Sequence, residues 1–332
     1  MKKLRTAFIG TGAIANTHAR ALAAIDDIEL VAFTDVDADR ARKFADAHAG
    51  GKGGVYTDFA EMFERTPLDV VYICLPPFAH TNEVEMAADR GVHYLIEKPI
   101  ALDAATARRM VEATEKAGVR SQVGFHYRFG EAVETVKGLI ADGRAGEPGL
   151  FTGRYFCNSL HSAWWRDKSK SGGQVTEQLV HQLDLARHFF GEPVSVFARA
   201  ANLFHTEVEG YTVEDVSTTA ITFTGGAIAS VSATNAAIPG KWLGSWEVVT
   251  RNLTAFFSDY NHAALHFTDT DGDAEHSISS SRSAFEAEAR DLVEAIRTGG
   301  ETRTPIAEGE RTLAVALAAA ESAETGREVA VG

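Results

Sequence analysis

The stretch Leu4-Arg5-Thr6-Ala7-Phe8-Ile9-Gly10-Thr11-Gly12-Ala13-Ile14-Ala15 decides the fold. Its first half is an apolar run of strand length, and its second half is a glycine turn opening onto an amphipathic stretch, Ile14–Ala24. In Gly10-x-Gly12-x-x-Ala15, Gly10 permits a tight turn and Gly12 lets the backbone approach a pyrophosphate. Ala15 allows close helix–strand packing. The helix start offers N–H groups and the positive end of a dipole to phosphate. Gly10, Thr11, Gly12, Ala13, Ile14 and Ala15 are therefore the expected cradle. A plain strand-to-helix turn gives the same string, so a second residue has to decide. That residue is Asp35, about twenty positions past Ala15, at the end of the apolar run Ile28–Thr34. A carboxylate there accepts hydrogen bonds from the adenosine ribose. A 2′-phosphate would be repelled, with Asp37 adding charge, so NAD is expected and NADP disfavoured. For Arg40 two readings stand, a phosphate partner and a helix-surface charge.

Working outward, Leu4–Ile9, Ile28–Thr34, Val70–Leu75, His93–Ile96 and Arg120–Val123 read as strands. Ile14–Ala24, Ala38–Ala47, Thr81–Arg90 and Asp103–Ala117 read as helices between them. That alternation implies right-handed crossovers and a parallel sheet covered on both faces, the Rossmann arrangement. Past Gly124 the pattern changes. A helix, Glu131–Ala141, is followed by β-prone segments: Gly149–Cys157, Val194–Phe204, Ser217–Phe223, Ala227–Thr234, Trp246–Val249, Thr254–Ser258 and Ala264–Thr268. Turn signals such as Gly225-Gly226, Pro239-Gly240 and Asp271-Gly272 separate them. One helix, Gln174–Phe190, interrupts the run, and Ser283–Arg297 and Glu308–Ser322 follow it. The fold class is thus α/β, with a dinucleotide-binding domain over residues 1–123. Residues 124–332 are expected to form an α+β domain with a large, mainly antiparallel sheet. Too few helices are present to cover both faces of that sheet, so a homodimer or homotetramer is expected through it.

A net charge of −14, from 32 Lys and Arg against 46 Asp and Glu, argues against nucleic acid or an anionic membrane as partner. No stretch reaches the roughly 18 apolar residues of a membrane span. The apolar run after Met1-Lys2-Lys3 breaks at Gly10 and reads as a buried strand rather than a signal segment. The two cysteines, Cys74 and Cys157, have no metal-ligand spacing and suit a reduced cytoplasm. No metal is expected.

Two further places carry chemistry. Leu75-Pro76-Pro77 ends the fourth expected strand and turns the chain across the sheet edge, putting Leu75 and Pro76 beside a cofactor. His80 then either touches a ribose or simply starts a helix. Glu97-Lys98-Pro99 follows His93–Ile96, so Lys98 sits where open α/β sheets bind ligands. Beside Glu97 a lysine keeps its proton, whereas burial next to a cationic nicotinamide would make it a usable base. A surface Glu-Lys pair is the competing reading. On the helix Gln174–Phe190, at about 100° per residue, Glu177, His181, Asp184 and His188 cluster within roughly 60°. They lie opposite Val175, Leu179, Leu183, Ala186 and Phe190, on a side expected to face away from the core. Trp164-Trp165-Arg166 before Gly172-Gly173 suggests a shaped entrance, with ring faces and guanidinium donors to line a sugar site.

In this order, the glycine turn, Glu97-Lys98-Pro99, Gly172-Gly173 and an acid four residues before His181 resemble the glucose–fructose oxidoreductase / inositol dehydrogenase / MocA family. The resemblance covers essentially the whole chain. It implies a Rossmann domain followed by an α/β domain used for oligomerisation, a catalytic lysine at Lys98, and an acid–histidine pair at Glu177 and His181. It also implies that the Lys98–Pro99 bond is often cis. Phe125-His126-Tyr127-Arg128-Phe129 resembles the family's inter-domain loop, which places Tyr127 or His126 near substrate. The chain departs from the pattern at Glu177, where aspartate is usual, and at Leu179, where glycine is common. The function this implies is NAD-dependent oxidation of a secondary alcohol of a sugar, cyclitol or related polyol. Lys98, His181 and Glu177 would be catalytic, and Tyr127, Trp165 and Arg166 would contact substrate. The rivals are a non-catalytic dinucleotide-sensing regulator on the same fold and an imine or biliverdin-type reductase.

Overall fold

The computed structural model describes residues 2–268 and 274–332, so the expected Asp271-Gly272 turn lies outside the described residues. The chain divides into two units, Met1–His126 with Phe285–Glu310, and Tyr127–Ala284 with Arg311–Gly332.

In the first unit six strands alternate with helices: β1 (Leu4–Ile9), α1 (Ala13–Leu22), β2 (Ile28–Thr34), α2 (Ala38–Ala49), β3 (Gly54–Tyr56), α3 (Phe59–Arg65), β4 (Val70–Ile73), α4 (Glu83–Asp89), β5 (His93–Ile96), α5 (Ala104–Ala117) and β6 (Ser121–Val123). All pairings are parallel, in the order β3-β2-β1-β4-β5-β6. The order reverses between β1 and β4, which opens a crevice at their carboxyl ends. In register, Ile9 pairs with Thr34 and with Ile73, Ile73 with Ile96, and Ile96 with Val123. Gly10, Asp35, Leu75, Glu97 and Gly124, each just past one of these ends, therefore share one edge of the sheet. Val70, Val71, Tyr72 and Ile73 are all buried, as a strand covered on both faces requires.

β3 and α3 had no counterpart in the expected elements. β3 has three residues behind a glycine-rich turn, too short for periodicity to register. The sequence also assigned all residues past 123 to the second domain. Phe285–Glu310 instead belongs to the first unit, because Ala289, Leu292 and Val293 of α11 (Ala284–Thr298) complete the core of Leu4, Phe8, Tyr72 and Leu95. The strand edge of β6 is covered in the same way. Thr304 accepts the Val123 N–H at 2.7 Å, and its hydroxyl donates to the Val123 carbonyl at 2.9 Å.

The second unit is built on a nine-stranded mixed sheet. Its strands are β7 (Pro148–Phe156), β8 (Pro193–Ala201), β9 (Val216–Phe223), β10 (Ile228–Thr234), β11 (Leu243–Thr250), β12 (Leu253–Asp259), β13 (His262–Phe267), β14 (Ala274–Ser279) and β15 (Val329–Ala330). The order is β14-β13-β12-β11-β7-β10-β9-β8-β15, antiparallel except where β7 meets β10. β14 and β15 were not anticipated. One face packs on α6 (Glu131–Ala141), on α10 (Val180–Phe190) and on α12 (Ile306–Thr325) from Arg311 onward, around Val133, Phe151, Leu183, Val231, Val248 and Ala316. The expected strand Val194–Phe204 stops at Ala201. Beyond it the buried Asp215 carboxylate accepts the N–H groups of Leu203, Phe204 and His205 at 2.7–2.9 Å and wraps the chain into a loop.

The expected helix Gln174–Phe190 is two helices, α9 (Gln174–Glu177) and α10, following α7 (Ala163–Arg166) and α8 (Lys168–Ser171). Between them the Leu179 N–H reaches back five residues to Gln174. There the Gln178 side chain enters a buried cluster with Cys157 and Asn235. Nor does α10 present a solvated polar side. His181, Gln182, Asp184 and Arg187 are as buried as Leu183 and Leu185.

Candidate active site

The cradle begins at Gly10, whose φ is +82°. A Cβ there would lie 2.4 Å from the Cys74 carbonyl oxygen, so both the conformation and the space demand glycine. Among the described residues nothing lies within 4 Å of a Cβ on Gly12, which leaves that face of the turn open. Gly12 caps α1 without a side chain, so no side-chain acceptor occupies the first N–H groups of the helix. The Thr11 N–H and hydroxyl both donate to Asp35 Oδ2 at 3.0 Å, fixing the turn against the end of β2. Arg40 pairs with Asp35 at 3.2 Å and with Asp37 at 3.6 Å, and its side chain is half exposed. Leu75 packs where a Gly10 Cβ would point, 3.3 Å away, and Pro76 precedes a 3-10 turn, Pro77–Ala79. An open glycine turn, uncapped helix N–H groups and a strand-end carboxylate together fit a dinucleotide.

His80 starts no helix. Its Nδ1 lies 2.5 Å from Glu83 Oε1, and its side chain is almost fully buried. Burial pushes the Glu83 carboxyl up, but the His80 hydrogen bond and charge and the Thr81 N–H outweigh it and hold Glu83 ionised. The Nε2 of His80 is buried and has no hydrogen-bond partner among the described residues.

Lys98 follows β5 at the same edge, and the Lys98–Pro99 bond is cis. The Glu97 carboxylate is buried between His18 Nε2, 2.7 Å from Oε1, and the Lys98 N–H, 3.1 Å from Oε2. Burial works to raise Glu97, but hydrogen bonding and charge from His18, with Lys98 and His126, leave its carboxyl below the ordinary range. His18 and Glu288 were not singled out from the sequence. Each sits on an apolar helix stripe, His18 with Ala15, Ala19 and Leu22, and Glu288 with Ala284 and Leu292. A titratable residue on such a stripe is the signal that would have found them.

In the second unit, Glu177 accepts the Trp165 indole N–H at 2.6 Å. Trp165 is only 2% exposed, packed against His161 at 4.2 Å and Tyr211 at 6.3 Å. Through the indole N–H it anchors Glu177. Arg166, the other expected substrate contact, braces the loop before it. Its Nε and Nη2 donate to the carbonyls of Leu160 and His161 at 2.9 and 3.1 Å. His181 stacks on Tyr127, centroids 4.7 Å apart and planes 14° apart, and Tyr127 continues onto Trp246 at 5.7 Å. Burial pushes the Tyr127 phenol well up and keeps it neutral. Asp184 forms a buried two-bond pair with Arg128, at 2.8 and 2.6 Å. Its expected place on an outward polar face is therefore corrected: the carboxylate is spent on internal structure. Among the described residues no group of three His, Cys, Asp or Glu is placed to hold a metal.

Comparison with known proteins bears on these two sets of residues. The model of an oxidoreductase family with an NAD-binding Rossmann fold matches residues 4–125, and that of the GFO/IDH/MocA C-terminal domain matches 133–255. A D-apiose dehydrogenase from Paraburkholderia graminis is 30% identical over 99% of this chain and 90% of its own. The chain belongs to the GFO/IDH/MocA oxidoreductase family. It is accordingly an NAD-binding oxidoreductase. A myo-inositol 2-dehydrogenase from Thermotoga maritima is 27% identical over 98% of both chains. Levoglucosan dehydrogenase, in complex with NADH and levoglucosan, superposes with a TM-score of 0.91 over 99% of this chain and 100% of its own. At 22% identity that likeness speaks for the fold alone.

Proposed function

We propose that the protein oxidises a secondary alcohol of a sugar, cyclitol or related polyol with NAD. The observation that carries this reading is Lys98 at the carboxyl edge of the nucleotide-binding sheet, two strands from the glycine cradle, in a chain similar end to end to a D-apiose dehydrogenase. NAD, when bound, supplies the nicotinamide carbon that accepts hydride. The carbinol C–H electron pair leaves as hydride, the carbon becomes a ketone, and the hydroxyl proton passes to the protein. We assign Lys98 and His181 as the candidate acceptors of that proton, and Glu177 as the group that orients or polarises the reacting hydroxyl. Tyr127 backs the His181 imidazole. Gly10–Ala15 hold the phosphates and Asp35 the adenosine ribose.

The outward face of the second unit's sheet exposes Leu150, Phe197, Ile228, Leu243 and Phe256. We place a dimer or tetramer contact there, because such a bare apolar face is a liability in water. Among the described residues no helix is long and apolar enough to cross a membrane. Cys74 and Cys157 are buried and free, which fits a reducing compartment, and we assign the protein to the cytoplasm. A panel of aldoses, inositols and anhydrosugars with NAD, followed by NADH absorbance, tests the activity. Tight NADH binding with no turnover on any of them would favour a dinucleotide-sensing regulator instead.

A further inference from the structure

The first unit holds a buried polar cluster that the proposed chemistry does not use. We propose that His18 is a positioning residue for the reaction, holding Lys98 in place through the Glu97 carboxylate. This rests on the reading of Lys98 as a catalytic group. His18 lies on α1, the helix that the glycine turn opens, and its side chain is 1% exposed. One oxygen of Glu97 meets its Nε2 and the other takes the backbone N–H of Lys98. A single carboxylate thus ties the helix behind the phosphate cradle to the peptide that carries the lysine.

The surroundings leave that carboxylate little freedom. A Cβ on Gly124, just past β6, would come within 2.9 Å of Glu97 Oε1, so any side chain there would press on the carboxylate. Phe285 meets the His18 ring edge-on at 5.2 Å, and Tyr72 lies across it at 5.4 Å. The titratable groups facing the pair are Tyr72 and Cys74 on the β4 side, Lys98 itself, His126 after β6, and Glu288 of α11. Burial pushes Tyr72, Cys74 and Glu288 well up, with Glu97 adding to the shift at Cys74 and Glu288. Burial also pushes His126 down to about 4. Each of these shifts favours the neutral form, whereas His18 and Lys98 hold Glu97 toward its ionised form. Without the imidazole, Glu97 is a buried carboxylate short of a donor. It would take up a proton or turn away, and the Lys98 N–H would lose its acceptor. A misplacement of about 1 Å at a reacting group costs on the order of 100-fold in rate.

The test uses the full chain and three variants, His18→Leu, His18→Gln and Lys98→Ala. Turnover is measured from pH 6 to 10, NADH affinity by fluorescence and folding by thermal melting. His18→Leu should keep NADH affinity within about threefold, lose about thirtyfold in kcat, and move the acid limb of the pH–rate profile. His18→Gln, which can place an N–H donor where Nε2 stands, should restore most of that loss. Wild-type kcat and pH profile in His18→Leu would overturn the proposal, and so would a loss confined to NADH affinity. If His18→Leu does not fold, the near-isosteric Glu97→Gln decides, and an unchanged profile there overturns it equally. Lys98→Ala separates the two readings. Full activity in that variant removes the catalytic lysine itself, whereas a slow Lys98→Ala beside a fast His18→Leu removes only the positioning role.

Discussion

Replacing Asp184 by alanine should unfold the second unit more easily while touching none of the proposed chemistry. Both side chains of the Arg128–Asp184 pair are buried, 6% and 1% exposed, and two charge-assisted hydrogen bonds join them. The Thr312 hydroxyl adds a third bond to the same carboxylate at 3.1 Å. Removing one partner of a buried, hydrogen-bonded ion pair costs about 3–5 kcal/mol. With a urea m-value of ~2–3 kcal/mol per M, the midpoint should fall by ~1–2 M. All four tryptophans, at 164, 165, 242 and 246, belong to the second unit, so indole fluorescence reports its unfolding alone. The double variant Arg128→Met/Asp184→Leu should recover most of the loss, because an apolar pair of similar volume has no charge to desolvate. A midpoint within about 0.3 M of wild type, with turnover abolished, would refute this and return Asp184 to the chemistry.

Gly10→Ala should weaken NADH binding by on the order of 100-fold, measured by fluorescence titration, since the left-handed backbone and the Cys74 carbonyl both oppose a methyl group. Asp35→Ser should narrow the preference for NAD over NADP in paired kcat/KM measurements, because Arg40 then faces the ribose without its closest carboxylate. Lys98→Ala and His181→Ala should each lower turnover by two or more orders of magnitude, and together by less than the product, with NADH affinity retained. Arg5 holds the Asp69 carboxyl down, from an ordinary 3.8 to about 2, chiefly through its hydrogen bond. That lowered value stabilises the fold fully above pH ~4 and fades as pH falls toward 2. Wild-type and Arg5→Met unfolding curves should therefore differ at neutral pH and converge in acid. Sedimentation at micromolar concentration should give a dimer or tetramer; a 35.7 kDa species would contradict the sheet-face contact.

The first unit was legible because strands buried on both faces are continuous apolar runs, and Gly10-x-Gly12-x-x-Ala15 and Asp35 fall at fixed offsets from them. The second was legible as a class but not in detail. Short strands such as β15 have no period to read, and the parallel β7–β10 contact joins segments some eighty residues apart. Helical periodicity placed Glu177, His181 and Asp184 together but misjudged their surroundings. It cannot show that Arg128, fifty-six residues earlier, is waiting for Asp184. The partners that Trp165 and Arg166 find, Glu177, Leu160 and His161, were hidden for the same reason, since tertiary packing sets them. Composition hints at polar groups on a helix but does not say whether they face water or a partner.

The passage of the chain through the two units constrains the order in which the protein can be made. Emerging from the ribosome, residues 1–126 carry every strand of the parallel sheet, yet they lack the layer supplied by Ala289, Leu292 and Val293. They also lack the Thr302–Ile306 segment that hydrogen-bonds along β6. The nucleotide-binding half, first to be translated, is thus among the last to be finished. For some 160 residues of synthesis it waits with an uncovered apolar surface and an open strand edge. A chaperone that shields nascent chains, or a pause in translation before residue 285, would act on that interval.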